Sequence, residues 1–112
     1  MNYQNLSLDE LFGHLRPAAI AEYDSKGEVQ VEAVKTLNEI NREILKRPGH
    51  EERYRTLLND PHPNLRYTAA LRLKDSEPSL ALATFRDLIN TGGILRPFAR
   101  VEIYGLEDRG VQ

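Results

Sequence analysis

The feature that most constrains this chain is that it repeats itself. Asp60, Leu65, Arg66, Ala69 and Leu73 are matched later by Asn90, Leu95, Arg96, Ala99 and Ile103, and earlier by Asp24, Val29, Gln30, Ala33 and Leu37. Each copy starts at an acid or amide in a turn and ends on apolar residues at helical spacing. A helical hairpin of this size cannot bury its apolar face alone, so stacked copies must share one core. The pattern predicts an outer helix, a turn and an inner helix in each copy, with Ala33, Ala69 and Ala99 small where helices approach closely.

Hydrophobic periodicity fills in about six helices and no strand. Leu8, Leu11, Phe12 and Leu15, opened by the capping-box pair Ser7 and Glu10, predict a helix from about Ser7 to Tyr23, kinked near Leu15 by Pro17. Ala33, Val34, Leu37, Ile40, Ile44 and Leu45 form one face from about Glu28 to Lys46, ended by Pro48-Gly49. A short helix follows from about Glu51 to Leu58, and another from Pro63 or Asn64 to about Lys74. Pro78 opens the fifth, with Leu82, Phe85, Leu88 and Ile89 on one side, and Ile94 to Leu106 form the sixth. Turns are expected near Asp24 to Glu28, Asn59 to Pro63 and Asn90 to Gly93. Asn41, amid the apolar face of the second helix, needs a hydrogen-bond partner there.

The stretch Asp60-Pro61-His62-Pro63-Asn64-Leu65-Arg66 resembles the HEAT repeat, with its turn Asp and following apolar-Arg pair. The resemblance covers almost the whole chain. Its first copy has Gln30 for the arginine and its third has Asn90 for the aspartate, with Gly92-Gly93 in the turn. Size and layout also resemble a small bacterial HEAT-like family known only as a domain of unknown function. The resemblance implies an all-α, right-handed superhelix of three HEAT-like hairpins and a surface that curves around partners. It also implies structural roles for Asp60, Arg66, Asp24, Asn90 and Arg96. The turn acid can cap the following helix and meet the arginine one turn on, helped by the helix dipole.

With 112 residues, 40% hydrophobic and 29% charged, the expectation is a single globular domain over 1–112. No apolar run is long enough to span a bilayer, and the N-terminus has neither the basic start nor the apolar core of a signal peptide. The absence of cysteine fits a reducing compartment, and the expected address is the cytoplasm. A net charge of -2 lacks the basic excess of a phosphate-backbone binder.

No constellation of residues specifies a reaction, so no enzyme activity, cofactor or metal is expected. His14, His50 and His62 lack the spacing of a helical metal pair. His50-Glu51-Glu52-Arg53 begins like a zinc-protease motif without its second histidine and reads as the acidic first turn of a helix. Ser7, Ser25, Ser76 and Ser79 stand in cap or turn contexts, and Gly92-Gly93 lacks the Gly-Lys of a phosphate loop. Arg53, Arg55, Arg66, Arg72, Arg86, Arg96 and Arg100 are spread around different faces and interleaved with acids. That weighs against the alternative, a nucleic-acid-binding or base-processing HEAT-like protein.

The expected function is therefore non-catalytic binding of a protein or peptide, of an accessory or immunity type, with no membrane partner. At about 100° per residue, Tyr67, Leu71 and Lys74 lie opposite the core sector of the fourth helix, and Pro97, Val101 and Tyr104 take those positions in the sixth. Lys35 and Arg42 lie in the matching sector of the second helix. The expected binding surface is Tyr67, Leu71, Val101, Tyr104, Lys35 and Arg42, and it also admits a homodimer. Two structural outcomes stay open for the stripe: the arc buries it, or Tyr3 and the N-terminal arm cover it. Arg100 stands where Val34 and Ala70 stand in earlier copies, and reads as a charged cap on the last repeat.

Overall fold

The computed structural model describes residues 2–91 and 93–112. Among these residues, a 3-10 turn at Tyr3–Asn5 is followed by six α-helices: α1 (Leu8–Asp24), α2 (Gly27–Ile44), α3 (His50–Leu57), α4 (Pro63–Leu73), α5 (Pro78–Thr91) and α6 (Arg96–Asp108). Among the described residues there is no strand. The helices fall into two compact units, Met1–His50 and Glu51–Gln112.

In the first unit, α1 lies against α2. The expected capping box opens α1: the Ser7 hydroxyl accepts the Glu10 N–H at 3.1 Å, and the Glu10 carboxylate accepts the Ser7 N–H at 3.0 Å. That backbone N–H and then the hydroxyl hold the Glu10 carboxyl below its ordinary value. Gly27 takes a left-handed φ of 65°, which lets the chain reverse within Ser25 and Lys26 and start α2 one residue earlier than expected. Leu11, Leu15 and Ala19 of α1 are buried, as are Ala33, Leu37, Ile40 and Ile44 of α2. Leu45, expected on that face, lies past the helix end and is 50% exposed. Asn41 is buried as expected.

The N-terminal arm is held by a residue that periodicity does not single out. Arg47, just past α2, donates through Nη1 to the Leu6 carbonyl at 2.6 Å and through Nη2 to the Gln4 carbonyl at 3.1 Å. One planar guanidinium thus satisfies backbone acceptors that lie outside the α-helices.

In the second unit, α5 is packed by α4 and by α6. Ala81, Leu82, Phe85 and Leu88 of α5 are buried, together with Leu65, Ala69 and Leu73 of α4 and Leu95, Ala99 and Leu106 at α6. From α3 comes Tyr54, 1% exposed, whose hydroxyl is pushed well above its ordinary pKa by burial, against a smaller opposing pull from Arg72. Glu51 and Glu52 occupy the first turn of α3, as read from the sequence. Asp24 closes α1 and Asn90 sits in the last turn of α5, so of the three repeat acids and amides only Asp60 lies in a turn between helices. The expected turn from Asn90 to Gly93 begins later, and Gly92 lies outside the described residues.

Candidate functional site

The repeat positions expected to be structural are joined by one recurring contact. Arg66 donates through Nη1 to the carbonyls of Asp60 at 2.8 Å and Pro61 at 3.1 Å. Arg96 donates through Nε to the Ile89 carbonyl at 3.2 Å, and Gln30 donates through Nε2 to the Glu22 carbonyl at 2.8 Å. In all three copies a long side chain near the start of a helix reaches back to a carbonyl at the end of the preceding helix or in the turn after it. Helix ends leave such carbonyls without intrahelical partners. The Asp60 carboxylate is used locally: Oδ1 accepts the His62 N–H at 2.9 Å, and His62, the N-cap of α4, accepts the Asn64 N–H on Nδ1 at 3.1 Å. The acid therefore shapes the turn, and the neighbouring His62 does the capping.

The expected binding stripe divides. Tyr67 is 4% exposed and is withdrawn from the surface. Its ring meets Phe85 of α5 edge-on, with centroids 5.6 Å apart and planes at 65°. The reason is the burial of α4 on several sides: Leu65, Ala69 and Leu73 are covered, and so are Tyr67, Thr68 and Ala70. The sector opposite Leu65 is therefore interior. Leu71 is half-buried. Val101 and Tyr104 stand out from α6 at 66% and 64% exposure, joined by Phe98 at 45%. Lys35 and Arg42 are exposed on α2. Arg42 borders a small polar cleft with Asn2, Tyr3 and Lys46, at a distance along α2 from the groove described next.

That groove, of about 610 Å³, runs between α1 and α2. Pro17, Ala18 and Ala21 line it from α1, and Val29 and Ala33 from α2, with Glu28 and Glu32 on its rim. Small side chains on both helices leave the gap. Val29, at the repeat position of the buried Leu65 and Leu95, is 62% exposed here. Glu28 and Glu32 are exposed, one helical turn apart, and among the described residues neither carboxylate has an ion-pair partner. Sequence reasoning missed this site because the repeat assigns Val29 to the core. The signal that could have found it is the run of alanines facing alanine: Ala18 and Ala21 against Ala33.

Among the described residues, no three His, Asp or Glu side chains gather into a metal-holding group. Among the described residues, no helix is long and apolar enough to cross a membrane. Among the arginines, Arg55 pairs with Glu77 at 3.0 Å, Arg86 with Glu107 at 3.0 Å and Arg47 with Glu43 at 3.4 Å. The Glu77 contact raises the Arg55 pKa further. No known family, curated protein or solved structure matches the chain.

Proposed function

We propose that this chain is a non-catalytic, HEAT-like binding module that takes a peptide or protein segment into the groove between α1 and α2. The observation that carries the reading is the apolar groove itself, open to solvent and rimmed by the carboxylates of Glu28 and Glu32, which are unpaired among the described residues. Open apolar surface bounded by polar groups is characteristic of contact sites. The acidic rim favours a segment that combines aliphatic side chains with a Lys or Arg. It disfavours nucleic acid, as does the engagement of Arg66 and Arg96 with backbone carbonyls. The shared reach-back contact of Gln30, Arg66 and Arg96 supports reading the helices as repeats of one hairpin.

Panning a displayed random-peptide library on the whole chain, with the groove-filling variant Ala21→Trp as counter-screen, tests the proposal. Enriched peptides should carry apolar residues with a basic one, lose at least about tenfold in affinity on Ala21→Trp, and lose their basic preference on the Glu28→Lys, Glu32→Lys double variant. Peptides that bind all three proteins equally, or an absence of enrichment on the unaltered chain, would refute it.

A further inference from the structure

The exposed face of α6 shares no residue with the lining of the groove and has its own symmetry of charge. Pro97, Val101, Tyr104 and Asp108 follow one another at spacings of four, three and four residues, the seam of a two-helix pair. The opposite side of α6 is spent on the core through Ala99 and Leu106. Beside the seam, on the same flank, stand Arg100 near one end and Glu107 near the other, both exposed. Arg100 has no ion pair or hydrogen bond through its side chain among the described residues. Glu107 holds Arg86 through one oxygen in a pair about half exposed on each side, a type worth little and easily shared. The start of α6 is also incomplete: its N-cap, Leu95, offers no side-chain acceptor to the first turn.

We infer that this face of α6 joins a second copy of the chain as an antiparallel, two-fold helix pair, with Arg100 of each copy against Glu107 of the other. Only the antiparallel arrangement matches the charges. It sets Val101 beside Tyr104 of the partner subunit, and it brings Arg100 to the end where the other copy carries Glu107. The two-fold axis repeats both contacts. It also sets Asp108 at the start of the other α6, where a carboxylate complements the positive end of the helix dipole and a first turn without a cap. A parallel pair would align like ends and leave these groups unmatched. Occupancy by a second copy follows from this self-complementarity, since a two-fold interface must present both halves of every contact on one surface.

The size of the face fixes the strength. A helix of 13 residues is about 20 Å long, and two such helices bury less than the roughly 1,200 Å² of a stable interface. The association is therefore weak and concentration-dependent. Sedimentation equilibrium of the full chain from micromolar to millimolar concentration should show monomers passing into dimers. Arg100→Glu and Glu107→Arg should each weaken the dimer by at least about tenfold, and an equimolar mixture of the two should restore it, because each altered charge then faces its opposite. Val101→Glu, at a position 66% exposed, should abolish it with an unchanged thermal melt. A chain that stays monomeric at the highest concentration overturns the inference and leaves the face to a different protein. Single variants that associate like the unaltered chain, or a mixture no better than its components, overturn it as well. None of these variants touches the groove, so the peptide experiment stands or falls independently.

Discussion

At the second position of the apolar-Arg/Gln pair, the chain varies in charge and keeps one ability: a long side chain with N–H donors. Gln30, Arg66 and Arg96 each use it on a carbonyl of the preceding helix end or turn. The position was legible in the repeat, and its reach to peptide carbonyls was not. Arg66 donates to the backbone oxygens of Asp60 and Pro61, because a turn of this tightness brings carbonyls close to the next helix. Arg66→Ala should cost about 1.5 kcal/mol, the low end for a charged donor because this one is partly solvated, and Gln30→Arg should be nearly neutral because the donor is kept. Urea melts check both, and a neutral Arg66→Ala would remove the contact from the stabilising set. Tyr54 offers a second test. Its folded pKa is raised, so its contribution is complete at neutral pH. It falls once pH exceeds about 10, where the unfolded tyrosine ionises and the folded one does not. Stability measured across that range should drop less steeply for Tyr54→Phe than for the unaltered chain, and parallel curves would contradict the burial assigned to this hydroxyl.

Among the elements, α1, α2 and α5 were read to within about a residue or two at their starts, and α4 was placed well but understood poorly. Caps and breakers explain the success: Ser7 with Glu10, Gly27, Pro63 and Pro78 act through local stereochemistry that is present in the sequence. Which side of a helix is interior depends instead on what packs there. On α4 the sector of Tyr67 meets Phe85, so a one-sided wheel misassigns it. On α6, Val101 and Tyr104 occupy the matching sector and remain exposed. Two tyrosines of one helix sector therefore separate cleanly by experiment. Tyr67→Ala should cost about 3 to 5 kcal/mol, as for other large buried rings, whereas Tyr104→Ala should fall within about 0.5 kcal/mol of the unaltered chain. Thermal or denaturant melts that rank the two equally would contradict the burial of Tyr67.

At the scale of the whole molecule, the sequence made the helical class and the apolar faces legible, and left the groove and the Arg47 clamp unread. Both of the latter depend on shape between elements. Ala18, Ala21 and Ala33 are good helix formers whose shortness becomes a cavity only once α1 lies on α2, and Arg47 is an ordinary surface residue until the arm folds back to it. The division into two units has an energetic consequence that the repeat pattern also anticipates, since chains of repeats open in segments whose stability is set by their own contacts. Leu37 belongs to the first unit and is 3% exposed, and Leu73 belongs to the second and is 1% exposed. Each truncation to alanine should cost about 2 to 5 kcal/mol. Native-state hydrogen exchange should then distribute that loss unevenly. Leu37→Ala should lower protection in α1 and α2 more than in α5 and α6, and Leu73→Ala should do the reverse. If each variant lowered protection equally along the chain, the two units would open as one, and the segmental behaviour expected of separate units would be absent.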